Sequence, residues 1–295
     1  MNILIKYATR NRPEAFLNAL RNIKTTIGYD NYVVLVSIDN NDGSMDDSVC
    51  NQARKIIPNI LIHRGDNFSK IQAINADMDK APEDWELLIN MSDDMIFTQS
   101  GWADKMIAHI RSVWKTGTDF FAHFNDGYIH HRLPTMSIMG RDYYERDKYI
   151  YYPEYKSFSC DAEAMFVAMM RRRYHYFNTV LFNHIHPANT NLFSHDQLYR
   201  NNGRHEAYDT LLYFQRRTNF FFVKDATCFP FNPDDRGTGD VLTPPYEHPE
   251  SAAIEILWRS RVLNTEGQSG AINRSETKQI DGLGYTDESY PSGIY

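Results

Sequence analysis

The stretch Leu87-Leu88-Ile89-Asn90-Met91-Ser92-Asp93-Asp94-Met95 sets the expectations for the whole chain. Leu87 to Ile89 is an apolar run of the kind that fills a buried strand, and it stops at two adjacent carboxylates. Burying either acid unpaired is costly, so the pair belongs at the open carboxyl end of the strand, facing a ligand rather than the core. Two acids at a strand end also suit a hard divalent cation, which takes oxygen donors and often bridges to phosphates. The competing reading is a pair of solvated turn acids, and the surrounding sequence has to decide between them.

Upstream, the pattern repeats. Ile3 to Tyr7 reads as a first strand, followed by the polar loop Ala8-Thr9-Arg10-Asn11-Arg12-Pro13 and a helix spaced by Phe16, Leu17, Leu20 and Ile23, closed at Gly28. Tyr32 to Ile38 gives a second strand that ends in Asp39-Asn40-Asn41-Asp42-Gly43, a turn by composition. A helix over about 45–56 leads to a third strand, Ile60 to His63. Ser69 is placed to cap a helix running through Ile71, Ile74 and Met78. Trp85 to Met91 is the fourth strand, and Gly101 to Trp114 is helical with Trp102, Met106, Ile110, Val113 and Trp114 mostly on one side. Such alternation predicts a parallel α/β sheet with right-handed crossovers, whose ligand site lies beyond the strands' carboxyl ends. The loops at Thr9 to Arg12, Asp39 to Asp42 and Ser92 to Asp94 are therefore expected to meet in one cleft.

The second half is less regular. Strands are expected at Phe120 to Phe124 and Met136 to Met139, a strand-to-helix corner at Gly140 to Tyr144, and helices over Ala162 to Met170, about 196–217 and Glu250 to Val262. Val180-Leu181-Phe182 leads into Asn183-His184-Ile185-His186-Pro187. Beyond Pro230 the chain turns Pro/Gly-rich, and its last thirty or so residues read as a poorly ordered tail.

At 295 residues with 42% apolar content, the chain can bury a large core. A formal net charge of -7 argues against sequence-blind attraction to nucleic acid or anionic membrane. Cys50, Cys160 and Cys228 are far apart, without metal-type spacing, and predict a reducing compartment. With no apolar run of membrane-spanning length and an N-terminal run too short for a signal peptide, a cytoplasmic protein without membrane insertion is expected (in a host's cytoplasm, were the source viral).

Taken in order, the elements with Asn67-x-x-Lys70-x-x-Ala73-x-Asn75 and Ser92-Asp93-Asp94 resemble the nucleotide-sugar-binding half of family 2-type glycosyltransferases, including enzymes of the kind found in bacteriophages. The resemblance covers 2–115 well and 116–200 loosely. It implies a GT-A fold, a mixed sheet flanked by helices, with a catalytic domain over 1–225 (donor-nucleotide half 1–115, acceptor half 116–225) and a C-terminal extension over 226–295. It also implies transfer of a sugar from a nucleotide diphosphate, UDP by preference, to an acceptor hydroxyl with inversion. Thr9, Arg10 and Arg12 match the first donor loop, Asp39 the base-binding acid, and Lys70 a basic position near the nucleotide. Asp93 matches a contact to the ribose hydroxyls, and Asp94 the ligand of a Mn2+ or Mg2+ ion bridging the diphosphate. Ser92 departs from the stricter acidic motif, and Ser69 stands where Gly is common.

The acceptor hydroxyl needs a general base, because its own pKa lies far above 7. Asp161 is the first candidate and Glu163 the second, both at the start of the helix before Met170; Asp161 as a mere helix cap stays open. His186, with His184 as the weaker choice, is the expected metal ligand or phosphate contact. His130-His131 could border an acceptor cleft, and His195 is given no chemistry. The acceptor is a glycan, a protein or a modified nucleobase in DNA. Two other readings remain: a nucleotidyltransferase, against which the missing Gly-rich loop after the first strand argues, and a sugar-nucleotide or glycan binder without turnover.

Overall fold

Four parallel strands, each feeding a helix or turn that packs back on the sheet, make the first half of the molecule. The computed structural model describes residues 1–190, 196–232 and 260–261. Strand β1 (Ile3–Thr9) leads to α1 (Pro13–Thr26), β2 (Tyr32–Asp39) to α2 (Asp47–Ile56), and β3 (Ile60–Gly65) to α3 (Lys70–Asn75). Pro13 opens α1, where its fixed φ suits the first turn and its missing N–H costs nothing. Asp46 caps α2 through Val49 N–H, and Ser69 caps α3 through Gln72 N–H. Helix α3 is shorter than its periodicity suggests. Asn75 turns its side chain onto the 150–151 backbone, accepting from Ile150 and Tyr151 N–H and donating to Tyr151 C=O, while Ala76 becomes extended.

After β4 (Leu87–Met91) come β5 (Met95–Phe97), α4 (Trp102–Val113), β6 (Phe121–Asn125), β7 (Ile138–Gly140), α5 (Arg141–Asp147) and α6 (Cys160–Met170). Then follow β8 (Tyr174–Val180), β9 (Phe182–His184), α7 (Gln197–Gly203) and α8 (Glu206–Thr218). In α4, Trp102, Met106 and Ile110 are buried as expected, whereas Val113 is exposed. The main sheet has the order β3-β2-β1-β4-β7-β6-β8. Strand β7 runs antiparallel to β4 and β6, so the parallel order of the first half passes into the expected mixed sheet. Separately, β5 pairs antiparallel with β9.

Alternating side chains divide the core in two. Ile3, Ile5, Val34, Val36, Ile89 and Ile138 point to the face covered by α1, α2 and α4. Leu4, Leu35, Leu88, Phe121 and Met139 point to the other, against α3, α5 and α6. Toward the strands' carboxyl ends this second face becomes polar, with Lys6, Asn90, Ser137 and His123 in adjacent register. Thr227 and Cys228 N–H bond to Met170 C=O, and Phe229 and Phe231 pack on α6, so the first residues of the expected extension belong to the packed molecule. Of the helix expected over Glu250 to Val262, Ser260 and Arg261 are helical; the rest, like His195, lies outside the described residues. No helix among the described residues is long and apolar enough to cross a membrane, and all three cysteines are buried.

Candidate active site

The three polar loops do meet. Arg10 pairs with Asp39 Oδ2, whose Oδ1 accepts from Asn67 Nδ2 at 2.9 Å. Asn11, in the left-handed region at φ 56°, donates its N–H to Asp42 at 2.6 Å. Asp93 Oδ1 accepts from Tyr7 Oη at 2.8 Å and from Thr9 Oγ1 at 3.3 Å, with Arg12 3.9 Å from Oδ2. Each loop is thus held by side chains of its neighbour, because a buried acid at a strand end has to find donors.

Asp93 and Asp94 point to different environments. Asp93 is buried under the first loop, where it anchors Tyr7 and Thr9. Burial pushes its carboxyl up to about 7, against the lowering pull of Tyr7, Arg12 and Thr9. Burial acts on Asp94 in the same direction but is outweighed. Hydrogen bonds from His184, Ser92 and Tyr199 hold its carboxyl far below the usual range. Tyr199 Oη donates to Asp94 Oδ2 at 2.6 Å, and His184 Nε2 stands 3.4 Å from the same oxygen. The β5–β9 pairing accounts for His184, because Met95, the residue after Asp94, is its register partner.

Asp94 Oδ2 and His184 Nε2 form an oxygen–nitrogen pair of a kind that Mn2+ accepts, and Mg2+ can use the carboxylate. Among the described residues no three His, Cys, Asp or Glu side chains form a cluster arranged for an ion. An ion at Asp94 and His184 would accordingly complete its shell with diphosphate oxygens and water. His186 is set differently from its expected role as a ligand. Its Nδ1 accepts from Ala188 N–H at 3.2 Å, which leaves the neutral ring's proton on Nε2 and makes that nitrogen a donor. Burial, then the neighbouring His184, lowers its pKa to about 4, favouring that neutral form.

Asp161 lies in the first turn of α6, while Ser159, not Asp161, holds the N-cap position. Its Oδ1 accepts the adjacent Ala162 N–H at 2.9 Å. Burial raises the Asp161 pKa, and Lys70 and His184 are near enough to pull it back. That electrostatic contact joins α3, α6 and β9 around one carboxylate. Glu163, two residues on, lies elsewhere: Arg216 Nε and Nη2 donate to its two oxygens at 2.8 and 2.7 Å, and Tyr155 Oη adds a bond at 2.8 Å. With both oxygens committed to a buried ion pair, Glu163 is removed from the candidate bases.

Arg12 belongs to a further layer. It grips Asp196 through Nε at 2.7 Å and Nη2 at 2.9 Å, and its guanidinium lies 4.3 Å from the Tyr199 ring centre. Asp196 in turn caps α7 through Tyr199 N–H. Helix α7 thereby rests on both the first loop and Asp94. Sequence reasoning missed Tyr7 and Tyr199 beside the acid pair; the single available signal was the Asp196 helix start, which gave no hint of its neighbour. His130 and His131 form a short helical turn beside Asn125 and Tyr176, on the β6–β8 side.

The seven-stranded mixed sheet flanked by helices is a GT-A fold. Solved structures of that class are similar to it. A mannosyltransferase from Pyrobaculum calidifontis, in complex with GDP-Man and Mn2+, superposes with a TM-score of 0.51 at 10% identity, over 95% of this chain and 79% of that one. Residues 1–349 of S. aureus TarS give a TM-score of 0.50 at 13% identity, over 76% and 75%. No family model matches the chain, and no curated protein does.

Proposed function

We propose that the chain is a metal-assisted glycosyltransferase that moves a sugar from a nucleotide diphosphate, UDP by preference, to an acceptor hydroxyl with inversion. The observation that carries this reading is Asp161, with one oxygen lightly engaged, in electrostatic reach of both Lys70 and His184. Asp39, steadied by Arg10 and Asn67, keeps lone pairs available to accept an imide N–H from a uracil. Lys70 and the His186 Nε2–H supply positive charge and a donor for the diphosphate. A divalent ion at Asp94 and His184 would act as a Lewis acid on the departing diphosphate. Asp161 takes the proton of the acceptor hydroxyl as its oxygen bonds to the anomeric carbon from the face opposite the leaving group. The bond from that carbon to the diphosphate oxygen breaks, and the nucleoside diphosphate leaves with the electron pair. The mannosyltransferase of similar fold, solved with a nucleotide sugar and Mn2+, supports the donor class.

The test is a melting-temperature series with nucleoside diphosphates, with and without Mn2+. Ligand binding to the native state raises Tm by mass action. UDP with Mn2+ should raise it, and Asp94→Ala should abolish the metal-dependent part. Asp161→Asn should keep the shift while lowering turnover by about 10²–10⁴-fold, the usual contribution of a general base. A flat response to every nucleotide would overturn the reading.

A further inference from the structure

We infer that Asp126 is a positioning residue for His184, fixing which ring nitrogen faces Asp94; the inference rests on the reading that Asp94 and His184 hold the ion. Asp126 follows β6 directly and is fully buried. Its Oδ1 accepts three backbone N–H groups, from Tyr128 at 3.0 Å, Ile129 at 2.7 Å and His130 at 3.2 Å. Its Oδ2 accepts from Thr135 Oγ1 at 3.0 Å and also faces the imidazole of His184, whose Nδ1 is 4.0 Å away. That Nδ1 is buried and has no hydrogen-bond partner. The backbone reinforces the arrangement: His184 N–H donates to Asp126 C=O at 3.1 Å, and Ile185 N–H to Asp94 C=O at 2.8 Å.

One imidazole is therefore suspended between two buried carboxylates, Nε2 toward Asp94 and Nδ1 toward Asp126. An unpaired buried nitrogen is unfavourable, and a carboxylate beside it favours placing the ring proton there. Without a cation Nε2 faces Asp94 as a donor. A cation bound there would displace that proton, and with the ring proton on Nδ1 beside Asp126 the Nε2 lone pair would be turned to the ion. Carboxylate, histidine and metal in line are the usual way in which an outer residue sets the tautomer and orientation of a ligating ring. The three N–H bonds on Oδ1 hold Asp126 still while Oδ2 acts.

The test is Mn2+ affinity in the presence of UDP, read from the electron paramagnetic resonance of free Mn2+. Asp126→Asn keeps an oxygen for the three N–H groups and turns an amide toward His184. It should weaken Mn2+ binding by about 10–100-fold, the usual effect of removing such a partner. In a His184→Ala background the same change should cause no further loss. An equal loss in both backgrounds, or none in the first, would overturn the inference and leave Asp126 as a loop anchor. Wild type that binds no Mn2+ would instead overturn the metal reading on which it stands. Should Asp126→Asn fail to fold, ring ¹⁵N shifts of wild-type protein loaded with UDP and Mg2+ report the same property, with His184 assigned by its loss in His184→Gln. A proton on Nδ1 supports the inference; a proton on Nε2 overturns it.

Discussion

Asp161 and Glu163 stand two positions apart, about 200° around a helix, so one faces the cleft when the other faces the core. Glu163 meets Arg216, whose guanidinium also lies 3.2 Å from the centre of the Tyr152 ring. Removing one partner of a buried ion pair strands the other charge, at a cost of about 3–5 kcal/mol. Glu163→Gln is therefore expected to lower stability by that order in a urea unfolding titration, while folded protein still binds UDP with Mn2+. Unchanged stability, with loss of turnover alone, would return Glu163 to the catalytic candidates. The sequence placed both acids at the start of a helix but held no sign of Arg216, 53 residues away. The same limit applies at Asp94: the acid was legible at once, whereas Tyr199 depends on a contact spanning more than a hundred residues.

At the scale of the element, the cleft depends on how α6 is presented. Asp209 of α8 is fully buried and accepts backbone N–H groups from Lys156 at 2.8 Å, Ser157 at 2.7 Å and Phe158 at 2.8 Å. It clamps the segment that delivers Asp161. Asp209→Ala would orphan three donors, each worth about 1–3 kcal/mol when buried and unpaired. Stability should fall by several kcal/mol on that scale. In the protein that remains folded, kcat should fall more than the donor KM rises, since the donor loops lie on the other half of the sheet. A donor KM that rises in step with the loss of kcat would speak against a local effect on α6. Regular elements were the easiest to read: β1 to β4 and their helices follow from period and caps. Strands β5 and β9, three residues each, carry no periodicity and exist because they pair with each other.

For the whole molecule, the centre of the sheet gives a pH dependence. Lys6 on β1 is fully buried, bonded through Nζ to Ser37 Oγ, which in turn donates to Asp77. Burial lowers its pKa to about 7, with Asp77 pulling the other way. Below pH 7 the folded and unfolded chains both hold the proton, and the cost of the buried charge is present in full. Between pH 7 and 10.5 the unfolded chain binds the proton that the folded chain has released, so stability rises with pH. Unfolding free energy should gain ~2 kcal/mol between pH 7 and 9 from this group. Lys6→Met should remove that increment, and an identical slope in wild type and variant would rule out Lys6 as its source.

By itself, the sequence determined the βα order, the two-faced strands and the polar loops at their carboxyl ends. Those follow from residue period and from the cost of burying a carboxylate, both local in origin. Tertiary structure alone decided which strand of the mixed sheet runs antiparallel and where it inserts, the separation of Asp161 from Glu163, and the setting of His184 between Asp94 and Asp126. These are pairings over long sequence distance, and a side chain's environment there is made by residues that its own neighbours do not specify.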